Sequence, residues 1–339
     1  MVAWNIRTLT TEDLPAVGEL FTQTMGFTRP LIHNQWKFAR NSVGPILGMV
    51  AVDEGQIVGQ YALWPVELRL GREVVMGAQS VDTMTHPDYR SQGMFTTLAN
   101  ACMELAADRG VEALYGFPNS NSYPGFIRKL NWDYTGDIQS WVRPIRFSKH
   151  PQIPNIGGWL ANGLARVMPK GRTSDLVLHT GPPSAEVLEQ LVAVWESQEG
   201  VCRVNRTSGW LQWRFDPDSC MKYEWVVAFR GAEPLAAAVW GIDMVKGNGD
   251  GKLAELVGVD PLAVEAVLGW VVRQALERGC PILSTVTNLA GFERPLRCSG
   301  FIKGRRIPLI VRSLTNRTLG GNIHDHNSWR FIGADLDTY

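Results

Sequence analysis

The stretch Val81-Asp82-Thr83-Met84-Thr85-His86-Pro87-Asp88-Tyr89-Arg90-Ser91-Gln92-Gly93-Met94-Phe95 decides the fold of this chain. Residues 81–85 are predicted to form a β-strand, and residues 95–109 carry apolar side chains at helical spacing. The connecting loop is basic and contains a glycine. Backbone N–H groups at a helix start, together with the helix dipole, form a site for an anion such as a pyrophosphate. A glycine here also fits a plain turn.

The flanking segments predict an α/β fold with a mixed sheet. Further strands are expected at residues 6–9, 49–52, 57–64, 66–70, 74–77 and 113–117. The strands at 49–52 and 57–64 are expected to form one hairpin, and those at 66–70 and 74–77 a second. Residues 11–21, capped by Thr11, and about 125–130 are predicted helices.

Bulk composition restricts the class of protein. The chain has 339 residues, 45% hydrophobic, with 33 basic and 33 acidic side chains. This length favours two domains, and the neutral balance gives no overall field for nucleic acid or a membrane. There is no signal pattern and no apolar run of membrane-spanning length. Five scattered cysteines without a C-x-x-C pair favour the cytoplasm and argue against a structural zinc site.

Two blocks of sequence recur in the same order. Residues 110–134 align without a gap on 279–303, at an offset of 169 (279 − 110), and Gln35-Trp36-Lys37-Phe38 falls on Gln212-Trp213-Arg214-Phe215, at an offset of 177 (212 − 35). Nearly equal offsets indicate a tandem duplication. Between the blocks, 23 positions separate Pro87 from Gly110 but only 18 separate Pro261 from Gly279. The second copy therefore lacks the five-residue stretch around 89–93.

In this setting Arg90-Ser91-Gln92-Gly93-Met94-Phe95 resembles motif A of the GNAT superfamily of N-acyltransferases, Arg/Gln-x-x-Gly-x-Gly/Ala, with Phe95 in place of the small last residue. Phe117-Pro118-Asn119 and Leu130-Asn131-Trp132 resemble motif B, where Asn131-Trp132 replaces the usual Gly-Phe. The resemblance covers residues 5–137 and, in weaker form, 176–305. It implies two GNAT domains in tandem, the second of them degenerate.

The resemblance also implies a reaction. Acetyl-CoA, or another acyl-CoA, would lie between the strands at 81–85 and 113–117, and no metal would take part. A backbone N–H of the first strand would polarise the thioester carbonyl, and an amine of a small molecule would attack it. The implied cofactor-binding residues are Met84, Thr85, Arg90, Ser91, Gln92, Gly93, Met94, Phe95 and Asn119.

Three side chains are candidate catalytic groups. Asp82 is the candidate general base because it is a carboxylate on the strand at the implied reaction centre; a carboxylate paired with an arginine is the alternative. His86 lies nearby, although a histidine before a proline also fits a turn. The family's usual tyrosine acid falls on Ile127. Either Tyr123, one turn earlier, is the acid, or Tyr123 is a core residue and no acid is needed, because a CoA thiolate is a good leaving group.

We expect a first domain over residues 1–137, a linker over 138–174 with a docking helix at 159–168, and a second domain over 175–339 that binds the acceptor. By analogy with N-myristoyltransferase, the acceptor is expected in the cleft between the halves near Asp82. The tail after residue 321 offers Asp325, Asp335, Asp337 and the carboxylate of Tyr339 for a cationic amine, or as solvated acids.

Two other functions stay open from the sequence. Fem-type transferases share the tandem fold and use aminoacyl-tRNA, and residues 138–174, with six basic and no acidic side chains, would suit RNA phosphates. A non-catalytic sensor of acyl-CoA is the other alternative. His324-Asp325-His326 is too small a set for a metal site and is expected to be a polar turn.

Overall fold

The computed structural model describes residues 4–146, 175–197, 201–244 and 247–339. These residues form one mixed sheet of 14 strands, with helices against its faces. The docking helix predicted at 159–168 lies outside the described residues. None of the helices in the described ranges is long and apolar enough to cross a membrane.

The first half runs through ten elements in chain order: β1 (Asn5–Thr8), α1 (Leu14–Met25), α2 (Leu31–Asn34) continued by a π-helical turn (Gln35–Ala39), β2 (Leu47–Asp53), β3 (Gln56–Leu70), β4 (Glu73–Thr85), α3 (Met94–Asp108), β5 (Ala113–Gly116), α4 (Tyr123–Lys129) and β6 (Asp133–Pro144). The second half follows with β7 (Val177–Thr180), α5 (Ala185–Ser197), β8 (Cys202–Val204), α6 (Ser208–Arg214), β9 (Glu224–Arg230), β10 (Glu233–Ile242), β11 (Gly251–Gly258), α7 (Pro261–Glu277), β12 (Ile282–Val286), α8 (Ala290–Cys298), β13 (Ile302–Ser313) and β14 (Trp329–Arg330).

The element bounds reproduce the offsets of the sequence repeat. β9 begins 177 positions after β2 (224 − 47), and both strands have seven residues. β13 begins 169 positions after β6 (302 − 133), and both have twelve. The α/β fold with a mixed sheet is confirmed. The two halves follow a similar order of elements, except that β8 and β14 of the second half have no counterpart in the first.

The strands β6 and β13 each pair with the other half. The central strand order is β5-β13-β6-β12, so β13 lies beside β5 of the first half and β6 beside β12 of the second. Residues 138–144, which the sequence places in the linker, therefore belong to a strand in the middle of the sheet. The halves are joined by this exchange as well as by the chain.

Three local predictions differ from the structure. The strands expected at 74–77 and 81–85 are one strand, β4. The strands expected at 57–64 and 66–70 are one strand, β3, which continues through Pro65. The missing N–H of Pro65 is tolerated because β2 pairs with β3 only up to Leu63 and β8 only from Leu68 onward. Thr10, rather than Thr11, precedes the first helical turn. The backbone N–H of Thr10 donates a hydrogen bond to the carboxylate of Asp13 at 2.8 Å.

Candidate active site

The strands β4 and β5 part in the middle of the first half. They pair in parallel from Gly77 with Ala113 to Ser80 with Gly116, where β5 ends. Just beyond, a β-bulge places Asp82 and Thr83 of β4 opposite a single residue of β3, and Asp82 has φ of 44°. A bulge bends a strand, and residues 80–83 of β4 and 116–119 at and after the end of β5 all line one cavity. The predicted gap between these two strands is therefore present.

A cavity of about 400 Å³ opens at the gap and is walled by both halves. This volume is typical of a site for a small molecule. The first half contributes residues of α1, the segment after it, the bulge and the loop after β5. The second half contributes Ser219, Met221, Tyr223 and Asp243, and the end of the sequence contributes Asp337, Thr338 and Tyr339.

Two cations converge on Asp82 inside the cavity. Arg29 Nη2 lies 2.8 Å and Lys37 Nζ lies 3.1 Å from Asp82 Oδ2, and all three side chains are almost completely buried. Lys37 Nζ also lies 3.0 Å from Asp337 Oδ2. Burial alone would raise the pKa of Asp82, but the charges of Arg29 and Lys37 outweigh it and hold the pKa well below its usual range. Asp82 is an ionised carboxylate and a weak base.

A histidine joins this group from α2. His33 Nδ1 lies 2.7 Å from the carbonyl oxygen of Ser219 in the second half, and the residue is 9% exposed. Burial, together with Arg29 and Lys37, lowers the pKa of His33 to about 3. The imidazole is therefore neutral in the range where amines react.

The loop before α3 leaves a helix start open to solvent. Gly93 precedes the helix with φ of 81°, and the first helical bonds are donated by Thr96 and Thr97 to the Gly93 carbonyl. The N–H groups before Thr96 are those that a helix start leaves without helical acceptors. Residues 90–93 are exposed. The loop predicted to bind an anion therefore combines an exposed backbone with N–H groups that have no helical acceptor.

Residues 5–135 match the sequence profile of the acetyltransferase (GNAT) domain. Residues 5–135 are a GNAT domain. No curated protein matches the chain in sequence.

Solved structures match both halves. A GCN5-related N-acetyltransferase from Anabaena variabilis superposes with a TM-score of 0.64 at 11% identity, over 92% of this chain and 73% of that one. A probable N-acyltransferase from Enterococcus faecalis gives 0.65 at 12%, with the same coverage. A fungal glucosamine N-acetyltransferase region gives 0.61 at 13%, over 92% of this chain and 38% of that one. At these identities the likeness is one of fold.

The departure from motif A in this GNAT domain has a structural explanation. The Phe95 ring packs against Phe126 at 5.4 Å between centroids, and a Cβ on Gly125 would lie 2.8 Å from it. Gly125, on α4, therefore leaves space for the Phe95 ring, which projects from α3. The ring points into the protein, so it does not stand between the loop amides and an anion.

The other residues predicted for the site lie in different surroundings. Asn119 lines the cavity, and its Oδ1 accepts from the backbone N–H of Ser122 at 3.0 Å. Met84 and Thr85 pair with β3 and do not line the cavity. His86 accepts from the N–H of Asp88 in the turn Pro87–Tyr89, also outside the cavity wall. The structure thus brings Asp82 and Asn119 together and leaves His86 apart.

Tyr123 and two acids of the tail also lie outside the cavity wall. Tyr123 packs edge-on against Tyr134, at 6.0 Å between centroids. Asp335 is buried in an ion pair with Arg206, and Asp325 caps the turn His326–Ser328. Of the acidic side chains predicted in the tail, Asp337 alone lines the cavity.

The second half closes the helix start that the GNAT domain leaves open. Asp260 precedes α7, and its Oδ1 accepts from the backbone N–H groups of Leu262 at 2.9 Å and Ala263 at 3.0 Å. Its Oδ2 lies 3.0 Å from Arg230 Nη2. A carboxylate of the chain itself occupies the position that corresponds to the anion site.

Arg29, His33 and Lys37 are the site residues that sequence reasoning missed. Arg29 lies before α2, His33 on α2 and Lys37 in the π-helical turn after it, outside both motifs. One signal was available: at the offset of 177, Arg29 falls on Arg206 and Lys37 on Arg214. All four of these cations are buried.

Proposed function

We propose that this chain transfers an acyl group, acetyl in the first instance, from acyl-CoA to the amine of a small molecule bound between the halves. The observation that supports this most is the position of the cavity, which begins where β4 and β5 part and contains the carboxylate of Asp82. An acyl-CoA binding fold brings the thioester to such a gap, so that donor and acceptor meet there.

The donor would be held by the first half. The open N–H groups at the start of α3 and the charge of Arg90 suit the pyrophosphate. Thr83 lines the cavity from the bulge, outside the paired register of β3 and β4. Its backbone N–H is our candidate for polarising the thioester carbonyl.

The acceptor would be held by the charged group around Asp82. Both cations contact Oδ2, so Oδ1 is the oxygen that Asp82 offers to an amine in the cavity. The amine nitrogen forms a bond to the acyl carbon, the C–S bond breaks, and CoA leaves as a thiolate. One amine proton must be lost, and the thiolate can take it up. Asp82 orients the amine and does not store its proton, because its basicity is low.

Amine-dependent release of CoA is the first experiment. Purified chain is mixed with acetyl-CoA and with each member of a panel of primary amines: aliphatic amines, aromatic amines and glucosamine, the last because of the fungal neighbour. We expect thiol release that requires one amine class, with the acetylated amine found by mass spectrometry.

The aminoacyl-tRNA donor is tested alongside. RNA that copurifies with the chain, and acylation that stops on RNase treatment, would replace acyl-CoA as the donor. Binding of acetyl-CoA without turnover of any amine would favour the sensor.

A further inference from the structure

His33 is held in one tautomer by a bond that crosses between the halves. The carbonyl oxygen of Ser219 can only accept, so Nδ1, 2.7 Å away, carries the hydrogen. Nε2 is then left with a lone pair. The residue is 9% exposed and forms part of the cavity wall. Nε2 is therefore the polar atom that His33 offers to a molecule in the cavity.

The charge of the ring is set by its burial and by its neighbours. Burial opposes a charged imidazole most, and Arg29 and Lys37 oppose a third cation beside them, while the Ser219 carbonyl and Asp82 favour the charged ring. The balance lowers the pKa of His33 to about 3. Nε2 is a hydrogen-bond acceptor without charge, beside the side chains of Arg29, Lys37 and Asp82.

Comparison of equivalent positions in the two halves shows which residues near the cavity are kept in both copies. At the offset of 177, arginine falls on Arg29, tryptophan on Trp36 and a cation on Lys37, so these positions keep their character in both halves. His33 falls on Trp210, which is 3% exposed, is not part of the cavity wall, and has an indole that only donates. Packing at this position is served by an indole, so an imidazole is not required by the fold.

We propose that His33 is a positioning residue for the acceptor, whose uncharged amine donates an N–H to Nε2. This bond turns the nitrogen lone pair toward the thioester carbonyl. Attack requires the neutral amine, because an ammonium ion has no lone pair. The inference rests on the proposed function. It adds that the substrate is bound as a free amine that keeps one N–H for His33 during attack.

Two substitutions test the two ring nitrogens of His33 separately. In His33→Asn the amide N–H can replace Nδ1–H toward Ser219, but no atom stands at Nε2. In His33→Gln the longer side chain places an amide oxygen near the position of Nε2. We expect His33→Asn to lower kcat/KM for the amine by about tenfold or more, the worth of one lost hydrogen bond. His33→Gln should stay within about threefold of the wild type, and both should bind acetyl-CoA as the wild type does.

A structural role alone would give a different pattern. Equal activity losses in both variants, in step with their melting temperatures, would overturn the inference, as would wild-type activity in His33→Asn. A wild type that releases no CoA with any amine overturns the proposed function instead. Nitrogen-15 spectra of labelled histidine, assigned by the signal missing in His33→Asn, test the ring without turnover. We expect a neutral Nδ1–H tautomer from pH 5 to 8, and titration near 6.5 would overturn the inference.

Discussion

The indole rings of Trp36 and Trp213 stack on each other and exchange hydrogen bonds. Their centroids are 5.3 Å apart at an angle of 15°. Trp36 Nε1 donates to the Trp213 carbonyl at 2.7 Å, and Trp213 Nε1 donates to the Trp36 carbonyl at 3.2 Å. The two residues occupy equivalent places in the repeat. They form a near-symmetric seam between the halves, and Trp36 extends it to the cavity wall.

Loss of one indole N–H from this seam should destabilise the whole chain. Trp213→Phe leaves the buried Trp36 carbonyl without its donor, and we expect the free energy of unfolding to fall by about 2 kcal/mol. Urea denaturation measures it. The half-buried Trp270 is the matched control, and Trp270→Phe should cost less than half as much. Equal losses in the two variants would show that the seam adds nothing beyond ring packing.

Asp82 should matter for the acceptor and for stability but not for the donor. Asp82→Asn leaves Arg29 and Lys37 with less counter-charge in a buried place, which we expect to cost about 3 kcal/mol of unfolding free energy. Turnover should fall at least tenfold at a temperature where the variant is folded, with acetyl-CoA affinity unchanged. Asp218→Asn, which removes a partner from an exposed pair with Arg40, is the control. Full turnover in Asp82→Asn would remove Asp82 from the site.

The chain should bind one CoA. The helix start in the first half is open, whereas Asp260 caps α7 and repels a phosphate in the second. Calorimetric titration with acetyl-CoA should therefore give a stoichiometry of one. Asp260→Ala should cost about 1 kcal/mol of unfolding free energy, the usual effect of a lost cap, without changing that stoichiometry. Two sites per wild-type chain would contradict this explanation of the second half.

The stability of the chain should depend on pH through His33. The unfolded imidazole has a pKa of about 6.5 and the folded one a pKa of about 3, so between these values the unfolded state binds a proton that the native state does not. The contribution of His33 to stability is therefore largest near pH 7 and declines toward pH 4, by at most about 1.4 kcal/mol per pH unit. His33→Asn lacks this decline.

The measurement is the difference in unfolding free energy between the wild type and His33→Asn from pH 7 to 4. Glu255, whose pKa burial raises to about 7, changes stability in the opposite direction, but it is present in both proteins and cancels. A difference that stays constant over this range would show that His33 titrates normally in the native state.

Local signals predicted much of the first half. The start of α3 lies within one residue of its prediction, because the apolar spacing and Gly93 both depend on nearby sequence. Distant partners decided the rest. The exchange of β6 and β13 follows from pairing between the halves, and β6 has no local feature that distinguishes its neighbour β12 from β5. His33 and Lys37 acquire their chemistry only where the halves meet, so a motif search of either half alone does not find them.

The tail shows the same limit. The sequence predicts its acids either as a group that holds an amine or as solvated side chains, yet Asp335 is buried beside Arg206 while Asp337 lines the cavity. Arg214 also binds the backbone carbonyls of Ala334 and Leu336 at 2.9 and 3.0 Å. Deletion of residues 333–339 would therefore disturb the packing of a buried cation. Asp337→Asn is the cleaner test of this segment.

The proposed reaction requires that the loop before α3 holds acyl-CoA. Gly93→Val is the direct test, since Gly93 has φ of 81° and its substitution distorts the open helix start. Gly231→Val is its control, because Gly231 has φ of 61° in a turn of the second half. A Cβ added at Gly93 or at Gly231 has no other atom within 4 Å. Arg90→Glu and Arg109→Glu change exposed charges at opposite ends of α3 in the same way.

Calorimetric titration of these four variants with acetyl-CoA tests that claim most directly. We predict an affinity at least about tenfold weaker in Gly93→Val and Arg90→Glu, with wild-type affinity in Gly231→Val and Arg109→Glu. Wild-type affinity in both loop variants would contradict the assignment of the loop.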